Sequence, residues 1–376
     1  MKRLNQTLCA NLRPIARVFA TIPLLVLALA TAQAGTITTV ASTVPSNGDV
    51  NPYGVARVPT TTGSLTEGNI LVSNFNNSKN LQGTGTTIVQ ITPSGTVTLF
   101  AQIDPNSLPG PCPGGVGLTT ALVALRSGWV IVGSVPTTDG MSDTVQAGCL
   151  LVLNSSGQVV ETFFGSLING PWDMAAFDGG REVSLFVTNV LNGTVAGGGN
   201  IVHEGTVLRL DLNISRGSMP FLQQMTIVGS GFAERTDPVA LVIGPTGLAL
   251  SGSDRRGDDD GQVLYVADTL NNRIVAIHHP LRRNTSDGTG TTVSQGGALN
   301  GPLGLEIATN GDILTVNSGD GFLVETKVEG QHGHQVQKVL LDNVNNGAGA
   351  LFGLFDVAGQ GIYFVDDNEN ALNLFH

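Results

Sequence analysis

The chain has 376 residues, 50 of them Gly and only 47 charged (18 Lys plus Arg, 29 Asp plus Glu). Gly at about 13% is roughly double ordinary usage and charge about half of it, which excludes coiled coils and long-helix proteins. A hydrophobic content of 41% excludes a disordered chain, and the Gly has no every-third-residue period, which excludes collagen; a β-rich, turn-rich globular protein is left.

In chain order, residues 1–34 read as a targeting segment. Lys2, Arg3, Arg13 and Arg17 form a basic stretch with no acidic residue, residues 18–32 are apolar, and Ala32-Gln33-Ala34 supplies the small-x-small spacing of a signal-peptidase site. The apolar run of 15 residues is short of the about 20 needed to cross a bilayer core. These features predict cleavage before Gly35 and export to the periplasm or the medium, with no membrane span in the mature chain 35–376. Four cationic residues leave with the segment, which takes the formal net charge from −11 to −15. Such an acidic, Lys-poor surface repels phosphate backbones and excludes nucleic acid as a partner. Cys9 leaves too, so Cys112 and Cys149 remain, an even pair expected to form a disulfide in an oxidising compartment.

A recurring unit follows. Its clearest copy, residues 244–280, runs strand, Gly/Asp turn, strand VLYVAD, turn at Asn271-Asn272, strand RIVAI. Small or polar anchors open six such units at Gly54, Thr120, Asp173, Gly247, Gly304 and Gly353, spaced by 66, 53, 74, 57 and 49 residues. The second strands end at Asn74, Ser134, Asn189, Asp268, Asn317 and Asp366. Six units of about four short strands predict an all-β fold, a six-bladed β-propeller. The last unit holds only three strands, and residues 36–43 match the outer strand of the first unit (95–102). An N-terminal strand is therefore expected to complete the last blade and close the ring.

The stretch VLYVADTLNNRIVAI resembles an NHL repeat, strongly in the fourth unit and more loosely in the others. That resemblance implies a six-bladed propeller and does not imply one activity. Exported six-bladed propellers include calcium-dependent lactonases and esterases, metal-dependent lyases and quinoprotein dehydrogenases. The calcium-dependent lactonase type carries Asn or Asp just before the anchors, where this chain has Tyr53, Thr119, Trp172, Thr246, Leu303 and Phe352. No central calcium site of that kind is expected.

Alternating strand direction puts loops 76–87, 136–148 and 191–205 on one face, here the top, over blades one to three. Cys112 and Cys149 both fall at the top of blade two. Long loops on a rigid scaffold are where binding residues concentrate. The ring Asn74, Asn189, Asp268, Asn317 and Asp366, with Ser134, presents side-chain oxygens that could take a polar ligand or a cation or bond to their own turns; the turn role is favoured.

Few residues suggest catalysis. Asp173 and Glu306 lie on inner strands and can reach the channel, and His203 stands beside Glu204 in the third top loop. His332 and His334 share one strand face and make half a zinc or copper site, with no third ligand nearby. The run Asp258-Asp259-Asp260 lacks the later acid of a calcium loop and reads as a solvated turn. No cofactor is predicted, although a calcium or transition-metal ion fits some of these groups. The favoured reading is an exported binding module that takes a small molecule, a glycan or a protein on its top face. The alternative is a metal-dependent hydrolase or lyase of lactonase or esterase type, with a divergent channel site drawn from Asp173, Glu306 and His203.

Overall fold

The computed structural model describes residues 35–215, 217–252 and 261–376. Residues 1–34, expected to be a targeting segment, and the aspartates 258–260 lie outside the described residues. The unit Thr36–His376 is a six-bladed β-propeller. Its innermost strands, in blade order, are Val50–Arg57, Leu118–Ala124, Pro171–Asp178, Pro245–Leu250, Pro302–Ile307 and Leu351–Val357. Each heads a sheet in which successive strands pair antiparallel.

One strand crosses from the start of the described chain to its end. Ile37–Ser42 pairs antiparallel with Ala371–Phe375, from Ile37 opposite Phe375 to Ser42 opposite Ala371. Blade six is therefore built from both ends of the unit, as expected, which ties the first and last segments of the ring together. Blade three departs from the four-strand plan. Its outer strand Phe221–Asp237 is 17 residues long, and its last residues pair with a fifth strand, Leu241–Ile243. The resulting hairpin, 235–243, is carried over the top of the channel.

The anchors explain why the blades pack so closely around the axis. The ladder between the first and second strands shifts register across the anchor in every blade, as between Pro245 and Leu248 or Pro302 and Leu305. A Cβ on Gly304 would stand 1.9 Å from the Phe352 carbonyl oxygen, and one on Gly247 2.2 Å from that of Leu303. Only Gly lets the inner backbones approach to this distance. Where the anchor carries a side chain, that side chain bonds across to the next blade instead. Thr120 Oγ1 donates to the Trp172 carbonyl, and the Asp173 carboxylate accepts from the Leu248 amide at 3.1 Å.

Apolar side chains from alternate strand positions fill the spaces between blades. Val183, Leu185, Val187, Leu208 and Leu210 of blade three are buried against Ile131, Leu150 and Val152 of blade two. Phe186, Val207 and Phe232 on the other face meet Leu248, Leu264 and Val266 of blade four. Among the described residues no helix is long and apolar enough to cross a membrane.

Candidate functional site

The top of the channel is plugged by aromatic rings. The positions before the anchors bring together Tyr53, Trp172, Leu303 and Phe352. Tyr53 stacks on Phe352 at 3.7 Å between ring centroids and on Phe75 at 4.5 Å, and Trp172 meets Tyr53 edge-on at 6.0 Å. Thr119 and Thr246, at the same positions in blades two and four, turn their hydroxyls to backbone carbonyls, Thr119 to Pro171 at 2.8 Å and Thr246 to Leu303 at 3.2 Å.

Above this floor lies a cleft of about 470 Å³. Its walls come from five blades: Asn51, Asn76, Asn80 and Gln82 from blade one, Trp172 and the hairpin residues Asp237, Val239 and Val242 from blade three, Thr269 from blade four, Ser318 from blade five, and Asp367 and Asn368 from blade six. The cleft is axial and draws nothing from blade two, whereas the loop lengths pointed to blades one to three. Loop 136–148 instead grips loop 76–87, with Thr137 N–H donating to the Gly83 carbonyl at 2.9 Å and Thr137 Oγ1 to that of Gln82.

A chain of amides leads to one carboxyl. Asn76 Nδ2 donates to Asn80 Oδ1 at 2.6 Å and to Asn51 Oδ1 at 3.0 Å, and Asn51 Nδ2 donates to the Asp367 carboxylate at 2.9 Å. The Asn51 amide orientation is the one that satisfies this network. Asn51 has φ 63°, a left-handed conformation that Asn tolerates better than most residues. Burial first, and the neighbouring Asp366 second, push the Asp367 carboxyl up to about 7. The Tyr53 hydroxyl is held well above its ordinary value by burial and by the Asp367 charge.

Deeper in the channel the structure brings Asp173 and Glu306 together, in a cavity of about 50 Å³. That space is too small for a substrate. Burial pushes Asp173 up to about 8, Glu306 adds to the rise, and the Met174 and Leu248 amides oppose it. His203 is exposed at the start of strand Val202–Asn213, away from this pair. His332 and His334 are exposed on the hairpin strand His332–Leu340. Among the described residues no group of three or more His, Cys, Asp or Glu is placed to hold a metal ion.

The ring of second-strand ends is buried and lines no part of the cleft. Asn74 Nδ2 donates to the Thr43 carbonyl at 3.0 Å and Asn317 Nδ2 to that of Ala298 at 2.8 Å. Asp268 accepts from Arg273 Nε at 2.7 Å, Asp366 accepts from the Glu369 amide at 3.3 Å, and Ser134 Oγ donates to the Gly115 carbonyl at 2.9 Å. Asn189 has neither amide atom partnered. The residues that do line the cleft sit beside this ring: Asn76 two positions past Asn74, and Asp367 one past Asp366. The disulfide is formed, Cys112 to Cys149, with Cα atoms 5.1 Å apart at the top of blade two.

No family model matches the chain, and no curated protein sequence matches it. Solved structures do. A PQQ-bound aldose sugar dehydrogenase from Streptomyces coelicolor superposes with a TM-score of 0.54 at 16% identity, over 91% of this chain and 98% of its own. The calcium-binding protein regucalcin from Agrobacterium tumefaciens gives 0.54 at 13%, over 89% and 92%. A gluconolactonase from Xanthomonas campestris gives 0.51 at 14%, over 91% and 89%. These likenesses establish the propeller fold, which hosts unrelated chemistries.

Neither group named with those neighbours fits the axial site. The channel top itself offers aromatic rings, Leu303 and two hydroxyls committed to carbonyls, and of the two carboxylates in the cleft above it Asp237 is paired with Arg235 and Asp367 is bonded to Asn51, a poor donor set for calcium. The carboxylates of a quinone cofactor such as PQQ would find no Lys, Arg or His lining the cleft.

Proposed function

We propose that this chain binds a small uncharged molecule in the axial top-face cleft and performs acid–base chemistry on it, as a hydrolase or lyase of the lactone or ester class. One observation carries the reading. A carboxyl pushed to about 7 is hydrogen-bonded into the wall of a cleft with an aromatic floor, the combination of perturbed acid and apolar pocket that marks catalytic sites. Asp367 takes a proton from the attacking water or from the substrate, because a base tuned near neutral pH is ionised and still basic enough to act. Asn51 holds the carboxylate in place, and the floor rings take the apolar face of the substrate. The sugar-derived substrates in the names of two fold neighbours agree with this size class and go no further. The Cys112–Cys149 bridge and the leader-like residues 1–34 support work in an oxidising, extracytoplasmic compartment.

The test is turnover of a panel of lactones and esters, followed by proton release. Asp367→Asn is expected to lower kcat at least about 100-fold while leaving substrate affinity within threefold. The wild-type rate should rise with pH through about 7, as the base ionises. Wild-type turnover in Asp367→Asn overturns the catalytic assignment. Binding without turnover by either protein leaves the module reading, in which the same cleft only holds its ligand.

A further inference from the structure

We propose that hairpin 235–243 is a lid, latched at its tip by Gln82, that closes over an uncharged ring-shaped ligand bearing both hydrogen-bond donors and an acceptor. The proposal rests on the cleft being the binding site, and adds what covers it and what it selects.

The hairpin is an addition to the propeller, since among the described residues blade three alone has a fifth strand. It is built to move as one piece. The Asp237 carboxylate accepts from the Val239 and Ala240 amides at 2.8 and 3.0 Å, closing the turn, and Arg235 pairs with the same carboxylate at 2.7 Å. Its underside, Leu241 and Val242, is buried on the aromatic floor, while Val239 at the tip is 85% exposed. Leu241 carries φ 66°, a left-handed backbone that is strained for a bulky residue. Across the cleft, Gln82 Nε2 donates to the Val239 carbonyl at 2.9 Å.

Beneath the lid three polar atoms are shielded from water and have no partner: Trp172 Nε1, Asn76 Oδ1 and Gln82 Oε1. All three belong to residues that line the cleft. Leaving buried donors and acceptors unmet is costly. In the closed arrangement no described residue reaches them; opening the lid exposes them to water and to an entering ligand, which keeps them satisfied as the lid closes over it. One orphan is a donor and two are acceptors, so the ligand carries at least one acceptor and two donors. An aromatic floor takes a flat apolar ring face. A wall without Lys, Arg or His offers nothing to an anion, and of its two carboxylates Asp237 is neutralised by Arg235 while Asp367 is committed to the Asn51 amide, which leaves a cation no free counter-charge.

The chain has two tryptophans, so in a Trp129→Phe background emission reports Trp172 alone. Acrylamide quenching then measures lid opening without knowledge of the natural ligand. Gln82→Leu, which removes the latch, is expected to raise the quenching constant at least threefold with the melting midpoint unchanged within a few degrees. Myo-inositol and methyl glucoside, uncharged rings with hydroxyls, should protect Trp172 in the latched protein, and gluconate and choline should not. Unchanged quenching in Gln82→Leu overturns the lid. Protection by gluconate or choline, or none by the uncharged rings, overturns the ligand class. Loss of turnover in Asp367→Asn with an unchanged Gln82→Leu would discard the lid and keep the site; the converse pattern would discard the catalytic role and keep the lid.

Discussion

Thr36 and His376 exchange two backbone hydrogen bonds, Thr36 N–H to the His376 carbonyl at 2.7 Å and His376 N–H to that of Thr36 at 3.0 Å. They extend a ladder that continues inward to Ser42 and Ala371, where Thr43 then donates to the Asn370 carbonyl through both its amide, at 2.9 Å, and its hydroxyl, at 3.0 Å. This strand is the outer edge of blade six, and without it the partly buried strand Ala371–Phe375 becomes the edge. Deleting residues 36–43 should therefore lower the melting midpoint by more than about 10 °C and promote association through the opened edge. A midpoint unchanged by the deletion would show that the ring closes without it.

The inner-strand glycines make a sharper test of how the blades meet. Gly304 faces a backbone carbonyl that cannot rotate away, 1.9 Å from where a Cβ would stand. Gly304→Ala should cost about 2–4 kcal/mol, at or above the usual range for overpacking because two backbones must separate. Gly197→Ala, whose Cβ would meet only the tip of Val202 at 3.2 Å, should cost under about 1 kcal/mol by urea unfolding. Equal effects would mean the close approach relaxes freely.

The closure strand and the anchors were legible in the sequence because both repeat. A Gly demanded by the same contact in four blades stands out, and a missing fourth strand at one end matches a spare strand at the other. The cleft was legible only in part: loop 76–87 supplies Asn76, Asn80 and Gln82, but the rest of the lining comes from four other blades with no sequence feature in common. Hairpin 235–243 carries a turn signal at Asp237-Pro238 before its apolar run, but a strand of three residues that ends two positions before Pro245 reads in sequence as the approach to the next inner strand. Strand-end residues such as Asn74 and Asn317, whose favoured reading is a local structural one, satisfy carbonyls of the connections between blades that would otherwise be buried unpaired. Their neighbours Asn76 and Asp367 are the residues that line the cleft.

The disulfide joins the connection entering blade two to the third strand of that blade, closing a loop of 37 residues. Intact-mass analysis should show two alkyl labels only after reduction. The double variant Cys112→Ser/Cys149→Ser should lose about 2–4 kcal/mol of stability. Its effect should extend to the cleft, because loop 136–148, which ends beside Cys149, grips Gln82 through Thr137. Labelling of both thiols without reduction would refute the bridge.

Glu234 gives the clearest pH dependence. It lies at the root of the hairpin with 0% exposure. Burial pushes it up to about 8, the Asn192 amide opposes the rise and Glu204 adds to it. Unfolded, the same group titrates near an ordinary Glu value of about 4.3. Between these values the folded state holds a proton that the unfolded state has lost, so stability falls as pH rises, and the loss is complete above about 8. Below the unfolded value both states are protonated and Glu234 imposes no penalty. Asp173, raised to about 8 by burial, and Asp367, raised to about 7, act in the same direction. The melting midpoint should therefore drop by several degrees between pH 5 and pH 8. Glu234→Gln, which keeps the shape and removes the ionisation, should recover part of that drop at pH 8 and change little at pH 5. A flat profile, or a Glu234→Gln protein that loses as much stability at pH 8 as the wild type, would mean that Glu234 is ionised and compensated in the folded protein.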